Sequence, residues 1–192
     1  SDIFTIRFPE ATATNVTTTD TITETHPLWS PDGRSIMFMR EDDLYLKHVE
    51  TGETSLVADL EAPIDNPVWS PDGETIVFFT SSYISGHNRN FAYRIAPDGS
   101  DLHPLALPEI ISRTATWSPD SVQIALVANT TDLLFYDLSD DSYHLIPHTA
   151  RRYAPSWSPD GETLAFIEGR RGYFLDIASQ TIQPIAFDSF VT

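Results

Sequence analysis

A serine and an aspartate two residues apart beside a tryptophan, as in Trp29-Ser30-Pro31-Asp32-Gly33, are residue types that could supply a nucleophile and a carboxylate. Nucleophilic chemistry at such a serine also needs a base within hydrogen-bond reach. The six histidines, at 26, 48, 87, 103, 144 and 148, keep no fixed distance from the motif. The motif also returns, as Trp69-Ser70-Pro71-Asp72-Gly73, Trp117-Ser118-Pro119-Asp120-Ser121 and Trp157-Ser158-Pro159-Asp160-Gly161, at intervals of 40, 48 and 40 residues. A catalytic group is rarely needed four times, so the repetition assigns these residues to the fold.

Other chemistries fare no better. There is no G-x-S-x-G elbow and no glycine-rich phosphate cradle. Cysteine is absent, which removes thiol catalysis, disulfides and cysteine zinc sites. His144 and His148 are four apart but flank a strand-like segment with Pro147, so they do not converge as a helical zinc pair would. Glu41-Asp42-Asp43 lacks the spacing of an EF-hand and reads as surface charge. The expectation is a protein without catalytic residues, metal or cofactor.

The chain carries 28 acidic and 11 basic residues for a net charge of −17, and Lys47 is its single lysine. Such a field repels phosphate, which argues against nucleic acid and anionic membrane surfaces as partners. No stretch approaches the roughly 20 apolar residues of a membrane helix, so no membrane insertion is expected. The N-terminus lacks the basic and apolar regions of a signal peptide.

The elements that position these residues follow from the repeat. Serine, proline, aspartate and glycine in order match positions i to i+3 of a type I turn, with glycine taking a left-handed conformation to return the chain as a hairpin. Ser121 must adopt that conformation without glycine's freedom. Trp29, Trp69, Trp117 and Trp157 close a first strand (a). Asp32, Asp72, Asp120 and Asp160, with Gly33, Gly73 and Gly161, turn into a second (b) that is apolar without alternation: Ile36 to Met39, Ile76 to Phe79, Ile124 to Ala128 and Leu164 to Ile167. An aromatic-rich third strand (c) begins near 44, 91, 133 and 173, and a more polar fourth (d) near 54, 102, 143 and 181. Strands apolar on both faces need cover on both faces. Four-stranded antiparallel meanders stacked face to face provide it, which makes the fold class all-β and the architecture a β-propeller.

Trp-Ser-Pro-Asp-Gly followed by "ETIVFF" or "ETLAFI" and then "LYLKHVETGETSLV" resembles the TolB-like, or WD-repeat-like, propeller repeat over essentially the whole chain. The resemblance implies protein–protein interaction, often outside the cytoplasm, in the periplasm or at the bacterial surface. It equally covers the accessory propellers of prolyl-oligopeptidase-type serine peptidases, and a glycan or small-ligand sensor is the third alternative. Residues 1–192 read as one domain: a half-blade over 1–20, from "IFTIRF" and "NVTTTD", and blades at about 24–60, 65–107, 113–148 and 153–187. The tail 187–192 supplies at most a short strand a. Three readings stand: a fragment of a larger propeller, which is preferred because TolB-like rings usually have more blades, a defective five-bladed ring, or an edge completed by another chain through self-association.

Binding residues are expected on the face of the b–c and d–a connections. Arg113, Arg151, Arg152, Tyr153, Arg170 and Arg171 gather the basic residues of the second half on that rim, and arginine with tyrosine is the usual anchor of an interface. Local pairing with Glu109, Glu168 or Asp132 competes with that role. A long loop at 81–90 adds Tyr83, His87, Asn88 and Arg89. The partner implied is a protein or peptide.

Overall fold

The computed structural model describes residues 1–19, 21–84, 86–108, 110–128, 131–147 and 152–185, with side-chain surroundings for all but 110–112 and 152–154. Among these residues there is no helix, and hence none long and apolar enough to cross a membrane. The chain forms two compact units, Ser1–Pro104 and Leu105–Thr192.

The first unit opens with a hairpin of β1 (Phe4–Arg7) and β2 (Thr12–Asn15). The sequence expectation put the second of these strands at Asn15 to Asp20, and the structure corrects it. Asn15 Oδ1 accepts hydrogen bonds from the backbone N–H of Thr17 and Thr18 at 3.2 and 3.1 Å, which turns the chain out of the strand. Next comes the sheet β3 (Glu24–Trp29), β4 (Ser35–Arg40), β5 (Asp43–His48) and β6 (Thr54–Ala58), paired in chain order. β7 (Ile64–Trp69), β8 (Ile76–Ile84), β9 (His87–Ile95) and the two-residue β10 (His103–Pro104) repeat that order.

The second unit holds β11 (Ile110–Trp117), β12 (Gln123–Ala128), β13 (Asp132–Asp137) and β14 (Ser142–Ile146), then β15 (Arg152–Trp157), β16 (Thr163–Glu168), β17 (Arg171–Asp176) and β18 (Ile182–Pro184). The tail 187–192 lies outside the described residues.

Apolar pattern and packing agree in detail. Ile36 to Met39, Ile76 to Phe79 and Ile124 to Ala128 are buried at every position, as strands covered on both faces must be. Leu164 to Ile167 departs from that expectation: Leu164 and Phe166 are buried in a cluster with Ala125, Val127 and Phe135, while Ile167 on the opposite face is 45% exposed. Among the described residues only one face of β16 has a packed neighbour.

The tryptophans report the same geometry. Trp69 packs on a cluster that joins Met37, Met39 and Leu44 of the preceding sheet to Phe78 and Ile95 of its own. Trp157 meets Phe135 edge-on at 5.7 Å. Trp117 is buried. Trp29 differs from the other three, being 51% exposed. Among the described residues β1 and β2 precede its sheet, and both are mostly exposed, unlike the apolar inner strands in the clusters that receive Trp69 and Trp157.

Candidate functional site

Each sheet has two edges, one formed by a–b and c–d turns and the other by b–c turns and d–a connections. On the first edge the recurring turn is chemically closed. Ser30, Ser70, Ser118 and Ser158 each donate a hydroxyl hydrogen bond of 2.6 Å to the aspartate two residues on, Asp32, Asp72, Asp120 and Asp160. The same hydroxyls accept the backbone N–H of Ser35, Thr75, Gln123 and Thr163 at 2.9 Å. Ser30, Ser70 and Ser118 are buried. A serine held in this way is a clamp between two strands and has no base to activate it.

The carboxylates are occupied as well. The Ser30 hydroxyl first, and then the Arg34 backbone N–H, hold Asp32 below the usual carboxylate range. Ser158 and the Glu162 N–H do the same for Asp160. Gly33, Gly73 and Gly161 have φ of 70, 77 and 75°, and Ser121 takes φ 62° in their place, as the turn demands. Asp98 and Asp137, in turns on this edge, are also lowered, each chiefly by the hydroxyl of a nearby serine, Ser100 and Ser139.

The opposite edge differs from repeat to repeat. In the first four-stranded sheet Arg40 stands across from Glu24 on one side and Asp43 on the other. Its Nε and Nη2 donate to Glu24 Oε1 at 3.2 and 2.9 Å, and its guanidinium lies 4.7 Å from the ring centroid of Tyr45. The Glu24 side chain is fully buried, so this pair and its aromatic shelf belong to the structure. Sequence reading missed the pair, for which the sixteen-residue spacing across a hairpin was the available signal. In the following turn burial, and then the charges of Asp59, Asp42 and Glu41, raise the Asp43 carboxyl above its ordinary range. Among the described residues no group of three or more metal-ligating side chains is arranged to hold an ion.

The last sheet inverts the order of that rung: in the backbone register position 168, a glutamate, pairs with position 152 on β15 and position 171 on β17, both arginines. Arg170 and Arg171, at the tight turn after Gly169, are both exposed. Of the arginine rim expected from sequence, Arg151 lies outside the described residues, as do the side chains of Arg152 and Tyr153. Arg113, Arg152 and Tyr153 sit in strands β11 and β15 and not in loops, because strand a begins five to seven residues before its tryptophan. A register shift interrupts strand a in every sheet and conceals its start in sequence.

The loop expected at 81–90 is also corrected. Ser81, Ser82, Tyr83 and Ile84 pair with Asn90, Arg89, Asn88 and His87, so β8 and β9 continue as a hairpin arm. The Ser-Gly dipeptide at 85–86 was the legible turn signal, and Gly86 has φ 84°. Tyr83 is 74% exposed, and His87, Asn88 and Arg89 are exposed beside it.

Consecutive four-stranded antiparallel meanders with apolar inner strands, tryptophan-closed first strands and short connections define a β-propeller of four-stranded blades. Solved structures share it: TolB from Acinetobacter baumannii matches with a TM-score of 0.70 and 16% identity over 96% of this chain and 48% of that one. An oligogalacturonate lyase, solved in complex with manganese, matches with a TM-score of 0.76 and 11% identity over 96% of this chain and 59% of the lyase. The fold is therefore of the TolB-like β-propeller type, and the chain spans about half the length of the TolB it resembles. No protein-family model and no curated protein matches the sequence.

Proposed function

We propose that this propeller is a non-catalytic protein-interaction module, extracytoplasmic in location, that engages a protein or peptide partner from the edge of its b–c turns and d–a connections. The observation that carries this reading is the contrast between the edges. Serines and aspartates of the a–b turns are committed to one another. Arg170 and Arg171 in one unit, and Tyr83, His87, Asn88 and Arg89 in the other, are exposed, each group on the b–c edge of its own sheet. Arginine and tyrosine supply much of the binding energy of protein interfaces, and arginine forks suit carboxylates. The TolB-like fold supports an interaction role and places no demand for a reactive group on these turns.

The test is photo-crosslinking in an extract of the source cell with benzoylphenylalanine placed at Arg170, at Tyr83 and, on the other edge, at Arg34. Discrete crosslinked partners from the first two positions and none from the third are expected. Equal crosslinking from both edges, or from Arg34 alone, contradicts the proposal.

A further inference from the structure

β8 and β9 run four residue pairs further than the inner strands of the first sheet, whose pairing ends at Arg40 and Asp43. At about 3.3 Å per residue the arm projects roughly 13 Å beyond that level. β7 pairs with β8 only as far as Thr80, so among the described residues no strand lies along the outer side of Ser81–Ile84. Along an open strand edge, alternate residues present both N–H and C=O to whatever approaches.

The arm is also the electrostatic exception of the molecule. Residues 75 to 97 contain no aspartate or glutamate, the longest such stretch in a chain that carries 28 of them. The pleat sorts its side chains. Ile84, His87, Arg89 and Phe91 share one face, with Ile84 43% and Phe91 37% exposed, while Tyr83 and Asn88 share the other. A cation flanked by exposed apolar groups beside a free strand edge is suited to one kind of occupant: an extended segment whose side chains alternate acidic with apolar.

We infer that the β8–β9 arm is a strand-addition site, where an acidic, extended segment of a partner protein pairs along Ser81–Ile84 with its carboxylates toward Arg89 and His87. Main-chain pairing supplies affinity and the alternating side chains supply selection, as in other cases of β-augmentation. This rests on the interaction-module reading above and names the partner's chemistry. The chain as a whole carries a net charge of −17, and its carboxylates repel acidic segments everywhere except at the arm.

The experiment is fluorescence anisotropy at about 0.15 M salt, where the field of the whole chain is screened beyond about 8 Å, with a labelled peptide, Glu-Val-Glu-Val-Glu-Val, against the whole chain. Saturable binding is expected, weakened roughly fivefold or more by Arg89→Glu, since one exposed ion pair is worth up to about 1 kcal/mol and reversal adds repulsion. A Lys-Val peptide of the same length should bind the native chain more weakly and the Arg89→Glu chain more tightly. Methylating alternate backbone nitrogens of the acidic peptide should abolish binding on one of the two registers. Binding that survives Arg89→Glu, or survives methylation on both registers, overturns the inference, with circular dichroism confirming that the variant is folded. Absence of peptide binding while crosslinks from Arg170 persist overturns the arm site and leaves the module reading standing. Loss of both overturns both.

Discussion

In the turn from β3 to β4, Asp32 accepts hydrogen bonds from the Ser30 hydroxyl and the Arg34 backbone, whereas one hairpin later Asp43 faces Asp59, Asp42 and Glu41. The first carboxylate is stabilised by its surroundings and the second is opposed by them, although both end short hairpins of one sheet. That difference recurs between the two edges of the individual sheets. The a–b turns repeat one closed hydrogen-bond circuit four times, while the b–c turns carry an acidic cluster, a protruding arm, or arginines around a glutamate. Repetition marks what the fold requires, and divergence marks where side chains are free to meet something else.

The largest test of that distinction removes the tryptophan next to the turn. Trp69→Ala should cost about 3 kcal/mol in chemical unfolding, as expected for an aromatic set in a packed cluster. Trp29→Ala, at a half-exposed copy, should cost under about 1 kcal/mol. Equal losses would mean that the repeat, and not the packing around each copy, sets the contribution.

Breaking the closed circuit comes next. Ser70→Ala leaves the Thr75 N–H without its acceptor and should cost about 1–2 kcal/mol, with no change in any binding at the arm. Ser121→Gly should act in reverse, gaining about 0.5 kcal/mol by relieving a left-handed residue that three sister turns fill with glycine.

The smallest effect is the most diagnostic, because the two edges should respond to pH with opposite signs. Asp32 and Asp160 have folded-state values below the unfolded one, so their contribution is present above about pH 4 and is lost as pH falls through the folded value. Asp43 has a raised folded-state value, so its contribution is present below about pH 4 and is lost as pH rises through the folded value. Asp59→Asn should therefore raise the melting temperature at neutral pH and leave it unchanged at pH 3. Asp32→Asn should lower it at neutral pH.

Much of this contrast is legible in the sequence, and what is hidden has a physical cause. Four Trp-Ser-Pro-Asp motifs give the blades, the turn type and even the left-handed Ser121, because a short-range turn is encoded by the residues that make it. The start of strand a is concealed because each copy carries a register shift ahead of the tryptophan, and in the first two copies it falls three residues before it, where His26 and Asn66 take φ of 53 and 45°. The arm reads as a loop because "SSYISGHNRN" has no apolar alternation: both of its faces meet water, so burial does not select its residues. The rungs through Arg40 and Glu168 depend on three strands coming into register, which no local pattern declares.

The central claim, that partners bind the divergent edge and not the repeated one, is tested most directly by quantitative affinity capture from the source extract. Three immobilised chains serve: native, Arg170→Glu with Arg171→Glu and Arg89→Glu, and Asp32→Asn with Asp160→Asn, all confirmed folded by circular dichroism at the capture temperature and pH. The account predicts that proteins retained by the native chain are lost from the arginine variant and kept by the turn variant. Retention by the arginine variant together with loss from the turn variant would contradict it.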